Sequence, residues 1–245
     1  MDVTEDTGPY DGVGIEPDIE EDSSGNLHIA YRDGTLGGGQ LYYATDSTGV
    51  WVVEELNFSE TSGVAQFKLG LDKNQNPYIA YNRGNSVGFL TSESGSWSAE
   101  TIETRPPADI LRGRISLQTD SEGTIHALYY VSNGTTLLRY AKRVQGSWVA
   151  VTVAENGESF GSYSDLTTSL FVDESLNAHI GHTDRNGDLQ YITNESGSWT
   201  TTYLASSTDE HRWTQKDYAV LPGGIFHMVF SSAVCIPVSV CFDTG

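Results

Sequence analysis

Basic residues are scarce in this chain: 13 Lys and Arg stand against 33 Asp and Glu in 245 residues, for a formal net charge of −20. Phosphate backbones and anionic bilayers are bound by concentrated positive surface, so neither a nucleic acid nor such a membrane is an expected partner. No run is apolar for long enough to span a bilayer, so membrane insertion is not expected either. Acidic residues follow Met1 in place of a basic and then apolar leader, so no secretory signal is read, while a secreted or extracytoplasmic location stays open. Cysteine is down to two, Cys235 and Cys241. A turn between them permits a disulfide, whereas a straight strand would hold the sulfurs up to roughly 20 Å apart; both remain open. No His/Cys/Asp group has metal-ligand spacing, no Gly-rich loop joins a strand to a helix, and no Gly-x-Ser-x-Gly elbow occurs. Neither a metal nor a cofactor is expected.

What the chain does have is repetition. Five copies of one pattern align on a His or Tyr at positions 28, 78, 126, 179 and 227, which are 50, 48, 53 and 48 residues apart. Two of them read Asn26-Leu27-His28-Ile29-Ala30-Tyr31 and Asn76-Pro77-Tyr78-Ile79-Ala80-Tyr81. A period near fifty with short alternating strands inside it marks a radial array of β-blades. With 26 Gly and 13 Tyr and no Pro-rich or Ser-rich linker, residues 1–245 are expected to form a single domain of many short strands.

Each of the first four copies resolves into four strands. In the third, alternation runs over 114–119, 125–131, 137–141 and 148–153, separated by turn residues. Asp22, Asp72, Asp120 and Asp173 each precede the anchor by six residues, and Trp51, Trp97, Trp148 and Trp199 each open a fourth strand. The repeated His are expected to hydrogen-bond within their own blade, and the repeated Trp to hold outer strands. The fifth copy lacks a fourth strand, and residues 1–5 fall at the interval where one belongs. The expectation is an all-β, five-bladed β-propeller with four antiparallel strands per blade, over about 14–56, 64–103, 112–154, 166–204 and 215–245 plus 1–6. The N-terminal strand closes the ring on the last blade and covers its edge. The chain is expected to be a monomer.

Over essentially its whole length the sequence thus resembles the β-propeller families. Ser92-Glu93-Ser94-Gly95-Ser96-Trp97 and Asn194-Glu195-Ser196-Gly197-Ser198-Trp199 resemble shortened Asp-box turns of sialidase-like propellers, with Glu where Asp is usual and one residue fewer before the Trp. The five-fold count is similar to that of tachylectin-2-type lectins and of five-bladed furanosidases. The furanosidase resemblance implies three carboxylates at the channel mouth.

Function is sought where the copies disagree, because propellers host unrelated activities. Trp213 and His211 fall in the connection between the fourth and fifth copies, and Tyr163 in another long connection, where loops on a rigid scaffold carry binding. Four residues before the turn Asp stand Asp18, Lys68, Ser116, Ser169 and, by alignment, Asp217; six before it stand Glu16, Gln66, Arg114, Thr167 and Gln215. These polar sets are expected to face the channel mouth. The leading reading is a non-catalytic module that binds carbohydrate through Trp213, His211, Arg114, Tyr163, Glu16, Asp18, Lys68 and Asp217. Alternatives are a protein-interaction ring and a glycoside hydrolase using Glu16, Asp18 and Asp217, unless those carboxylates form a salt-bridged or hydrated channel lining.

Overall fold

The computed structural model describes residues 13–33, 39–58, 64, 66–106, 110–132, 135–158, 168–184, 186, 188–206, 211–221, 225–236 and 240–243, the last three segments by their backbone. Among them every regular element is a strand. Strands β1 (Val13–Glu21), β2 (Leu27–Asp33), β3 (Leu41–Thr45) and β4 (Val52–Glu55) make the first sheet in chain order. The second holds β5 (Gln66–Leu71), β6 (Pro77–Arg83), β7 (Ser86–Thr91) and β8 (Ser98–Thr104), and the third β9 (Ile110–Thr119), β10 (Ile125–Ser132), β11 (Thr135–Val144) and β12 (Ser147–Glu158). In the fourth are β13 (Thr168–Val172), β14 (Ala178–Thr183), β15 (Leu189–Thr193) and β16 (Thr200–Ala205). A last sheet has three strands, β17 (His211–Leu221), β18 (Ile225–Ile236) and β19 (Val240–Asp243), consistent with the fifth copy's missing fourth strand. Residues 1–5, expected to complete it, lie outside the described residues. The chain divides into two compact units, one of residues 1–111 with 143–149 and one of 112–142 with 150–245.

The turn chemistry read from the repeat is what joins the first two strands of each of the four-stranded sheets. Asp22 Oδ1 accepts the amides of Ser24 and Asn26 at 2.8 and 2.9 Å, and Asp72, Asp120 and Asp173 repeat the arrangement. The carboxylate thereby replaces backbone acceptors in a tight reversal. The third residue after the Asp takes a left-handed φ, which Gly25 and Gly123 adopt freely. Gln75 and Leu176 occupy it at φ of 68° and 66°, at some cost in strain.

Three of the four repeated Trp pack against a neighbouring sheet. Within the first unit Trp97 meets the Tyr43 ring edge-on at 5.1 Å between centroids, and Trp148 meets Phe89 in the same way at 5.0 Å. Within the second, Trp199 meets Tyr140 at 5.0 Å. Each Trp thus reaches the third strand of the sheet preceding its own, a favourable geometry for an aromatic quadrupole. Second and third strands are buried, as in β6 and β7, while the outer strands β4 and β16 are exposed along almost their full length.

Candidate functional site

The polar residues of the inner strands are joined from sheet to sheet. Asp18 in β1 takes Lys68 Nζ of β5 at 2.7 Å on one carboxylate oxygen and the Leu69 amide at 2.6 Å on the other. Glu20 Oε1 lies 3.7 Å from the same ammonium, and burial outweighs that attraction and pushes the Glu20 carboxyl up. In the second unit Ser116 Oγ of β9 donates to the Thr168 carbonyl at 3.0 Å, and Gln118 Oε1 accepts the Val172 amide at 2.9 Å. Positions four and two before the turn Asp therefore stitch each of these inner strands to the next.

Behind them the anchors form hydrogen-bonded chains. His126 bridges Asp120 (2.9 Å to Nε2) and Tyr140 (2.6 Å to Nδ1), and His179 bridges Asp173 and Tyr191 likewise. Hydrogen bonds from His126, Thr124 and Glu122 outweigh the effect of burial and hold Asp120 below the usual carboxylate range. An ionised Asp only accepts, so Nε2 carries the proton, Nδ1 accepts, and the tyrosine donates. Burial pushes His126 down despite Asp120, which keeps the imidazole neutral. In the first sheet His28 pairs with Tyr43 at 2.5 Å, and burial pushes that phenol up to about 12. The second sheet replaces the pair with Tyr78 and Phe89, rings 5.5 Å apart, and Gly70 leaves the space in which the Tyr78 ring lies. These are structural chains within single sheets, with the turn Asp as the partner expected for the repeated His.

Asp18 and Lys68, both singled out from the sequence, are thus brought into one ion pair. Glu16 stands in β1 beside a bulge, where register moves from Ile15–Arg32 to Asp18–Ala30. Asp217 follows a bulge at the equivalent place in β17, where register moves from Gln215–Phe230 to Asp217–Val229. Arg114 lies in β9. The structure places His211 and Trp213 inside β17, opposite Val234 and Ser232, where the sequence reading had put a connecting loop. The reason is register: β18 is twelve residues long and carries pairing past the end of the repeat. Within the second unit β17 lies beside β13 and β14. Tyr163 lies outside the described residues.

Two arrangements escaped the sequence reading. Arg143, at the tip between β11 and β12, grips Glu100 with two nitrogens at 2.7 and 3.1 Å and Glu93 with a third at 3.0 Å, over the face of Phe89. Its partners lie 43 and 50 residues away in sequence. His182, fully buried, is hydrogen-bonded through Nδ1 to Tyr130 at 2.7 Å, and burial pushes its pKa down to about 3. A signal was available, since His182 stands three residues after the anchor, where the other copies have Tyr31, Tyr81, Tyr129 and Phe230.

The likeness to solved structures is one of fold. It is of the propeller type: a variant of Aleuria aurantia lectin in complex with Fucα1-6GlcNAc aligns at a TM-score of 0.57 and 11% identity, over 92% of this chain and 75% of that one. AofleA from Arthrobotrys oligospora aligns at 0.53 and 15%, over 82% of this chain and 58% of that one. An ulvan lyase of a polysaccharide lyase family, bound to a GlcA(1-4)Rha3S unit, aligns at 0.56 and 12%, over 89% and 62%. This chain therefore spans about three fifths of the length of AofleA and of the lyase. No family model matches the chain, and no curated protein matches it in sequence.

Proposed function

We propose that this chain is a non-catalytic carbohydrate-binding module on a five-bladed propeller, a single domain whose last blade is completed by residues 1–6. The observation that carries the reading is the use made of Asp18: Lys68 and the Leu69 amide occupy both of its oxygens, so it is spent on joining strands and is not poised as an acid or base. That favours the salt-bridged lining over the three-carboxylate furanosidase arrangement. Support also comes from the Aleuria aurantia lectin, whose fold this chain shares and which was solved with a fucosylated disaccharide. The ligand surface is assigned to His211 and Trp213, two positions apart in β17, together with Arg114, Tyr163 and Asp217 of the same compact unit. An indole offers a flat apolar face to a pyranose ring, and guanidinium and carboxylate groups bond its hydroxyls.

A glycan array probed with and without calcium tests the proposal. The expected result is a restricted set of bound glycans, with affinity lowered at least ~10-fold by Trp213→Ala at unchanged thermal midpoint. An array with no binders at high protein concentration would sink it. Cleavage of a polysaccharide, abolished by Glu16→Gln or Asp217→Asn, would establish the catalytic reading instead. A specific protein partner recovered on an array-negative chain would favour the interaction ring.

A further inference from the structure

We propose that Cys235 and Cys241 form an intramolecular disulfide that ties the hairpin of β18 and β19. The register sets Cys235 directly opposite Cys241, one pair in from Ile236–Val240, which closes the turn. Directly opposed residues of an antiparallel pair have Cα atoms about 4.5–5.5 Å apart. A disulfide spans about 4.4–6.8 Å between Cα atoms, so the backbone already meets its geometric requirement. A slip of one residue would set Cys235 against Val240 or Phe242, so the match belongs to this register alone.

The repeat makes the coincidence more telling. The other four copies contain no cysteine, and the fifth contains two, at both members of one cross-strand pair. The same sheet differs from the others in a second way: its third strand, β19, has no fourth strand beside it among the described residues. A covalent tie between β18 and β19 holds that strand from the β18 side, whatever lies along its other edge.

Bond formation oxidises two thiols. One cysteine thiolate attacks a sulfur of a disulfide oxidant, such as oxidised glutathione, and releases one thiol; the other cysteine then displaces the second. Two electrons and two protons leave the protein, and the oxidant ends as two thiols. The bond places the working protein in an oxidising compartment.

The test uses the full chain refolded in a glutathione redox buffer, denatured in excess N-ethylmaleimide and weighed intact. The expected result is no maleimide uptake and a mass about 2 Da below the dithiol form, with two maleimides taken up after reduction. Two maleimides without reduction, glutathione retained on the cysteines, or a disulfide-linked dimer on a non-reducing gel would each overturn the proposal. The variant Cys235→Ser/Cys241→Ser is expected to melt with the reduced wild type, a few degrees below the oxidised form. If oxidised and reduced protein melt alike, the bond does not tie the hairpin.

Discussion

Ser92 donates its hydroxyl to the carbonyl oxygen of Pro77 at 3.1 Å, at a place where two other sheets do the reverse. There Asp46 Oδ1 accepts the Leu27 amide at 2.8 Å and Asn194 Oδ1 accepts the Ala178 amide at 2.7 Å. Pro77 has no N–H to give, and a donor stands opposite its carbonyl instead. Ser92→Asp is therefore expected to destabilise by about 1–2 kcal/mol, because a carboxylate would face a carbonyl. Adding Pro77→Leu restores the amide and should recover about 1 kcal/mol of that loss. A double-mutant cycle from urea melts measures the coupling, and strictly additive losses would refute it.

Gly88 lies under the ring of Tyr81, its cross-strand partner, so that a Cβ there would sit 2.2 Å from the ring carbon Cζ. Tyr81 is 2% exposed and has nowhere to move. Gly88→Ala is expected to cost about 2–3 kcal/mol by overpacking, with much of that recovered in the background Tyr81→Ala. In the first sheet the same cross-strand pair is Tyr31 and Tyr42, stacked at 5.3 Å, so a side chain is accommodated there by parallel packing of the two rings.

Acid is expected to weaken the fold before the carboxylates titrate. His182 stays neutral in the folded protein down to about pH 3, whereas an unfolded histidine protonates near 6.5. The unfolded chain then binds the extra proton, so stability is full above about pH 6.5 and falls as the pH drops from there toward 3. His126, also held down by burial, acts in the same direction. Thermal midpoints from pH 7.5 to 4.5 should fall in the wild type and fall less steeply in His182→Asn. An unchanged slope in the variant would rule the assignment out.

Arg143 also joins separate strands through a single side chain. Arg143→Ala removes hydrogen bonds to two carboxylates and leaves Glu100, half-buried, without its cation. A loss of about 2 kcal/mol is expected, equivalent to roughly 4–8 °C in a chain of this size. Arg143→Lys should recover less than half, since an ammonium cannot make the two-pronged contact. Scanning calorimetry of the two variants decides between a fork and a simple charge.

Much of this was legible beforehand because the chain repeats. The turn Asp, the anchors of the second strands, the Trp at the outer strands and the absent fourth strand of the last copy all came from spacing. Local chemistry enforces each of them, whether Asx turns, left-handed glycines or period-two alternation. The repeat places His211 and Trp213 in a loop for the same reason. Alignment to the repeat ended the strand at its usual length, while pairing with a twelve-residue β18 extended it. Arg143 is not legible in the sequence, because nothing local marks an Arg near a hairpin tip as bound to carboxylates 43 and 50 residues away.

By itself, then, the sequence determined where the first two strands of each four-stranded sheet turn and which residues are repeated scaffold, because those features depend on neighbours a few residues apart. Only the tertiary structure decided how the non-repeating polar residues are used. Asp18 and Lys68 were legible as two polar positions in two inner strands, yet whether they open to a ligand or close on each other depends on a separation of 2.7 Å between residues fifty apart in sequence. Cys235 and Cys241 were undecided between turn and straight strand until register set them face to face. A charge or a thiol carries its chemistry in its residue type, but its partner is chosen by the fold.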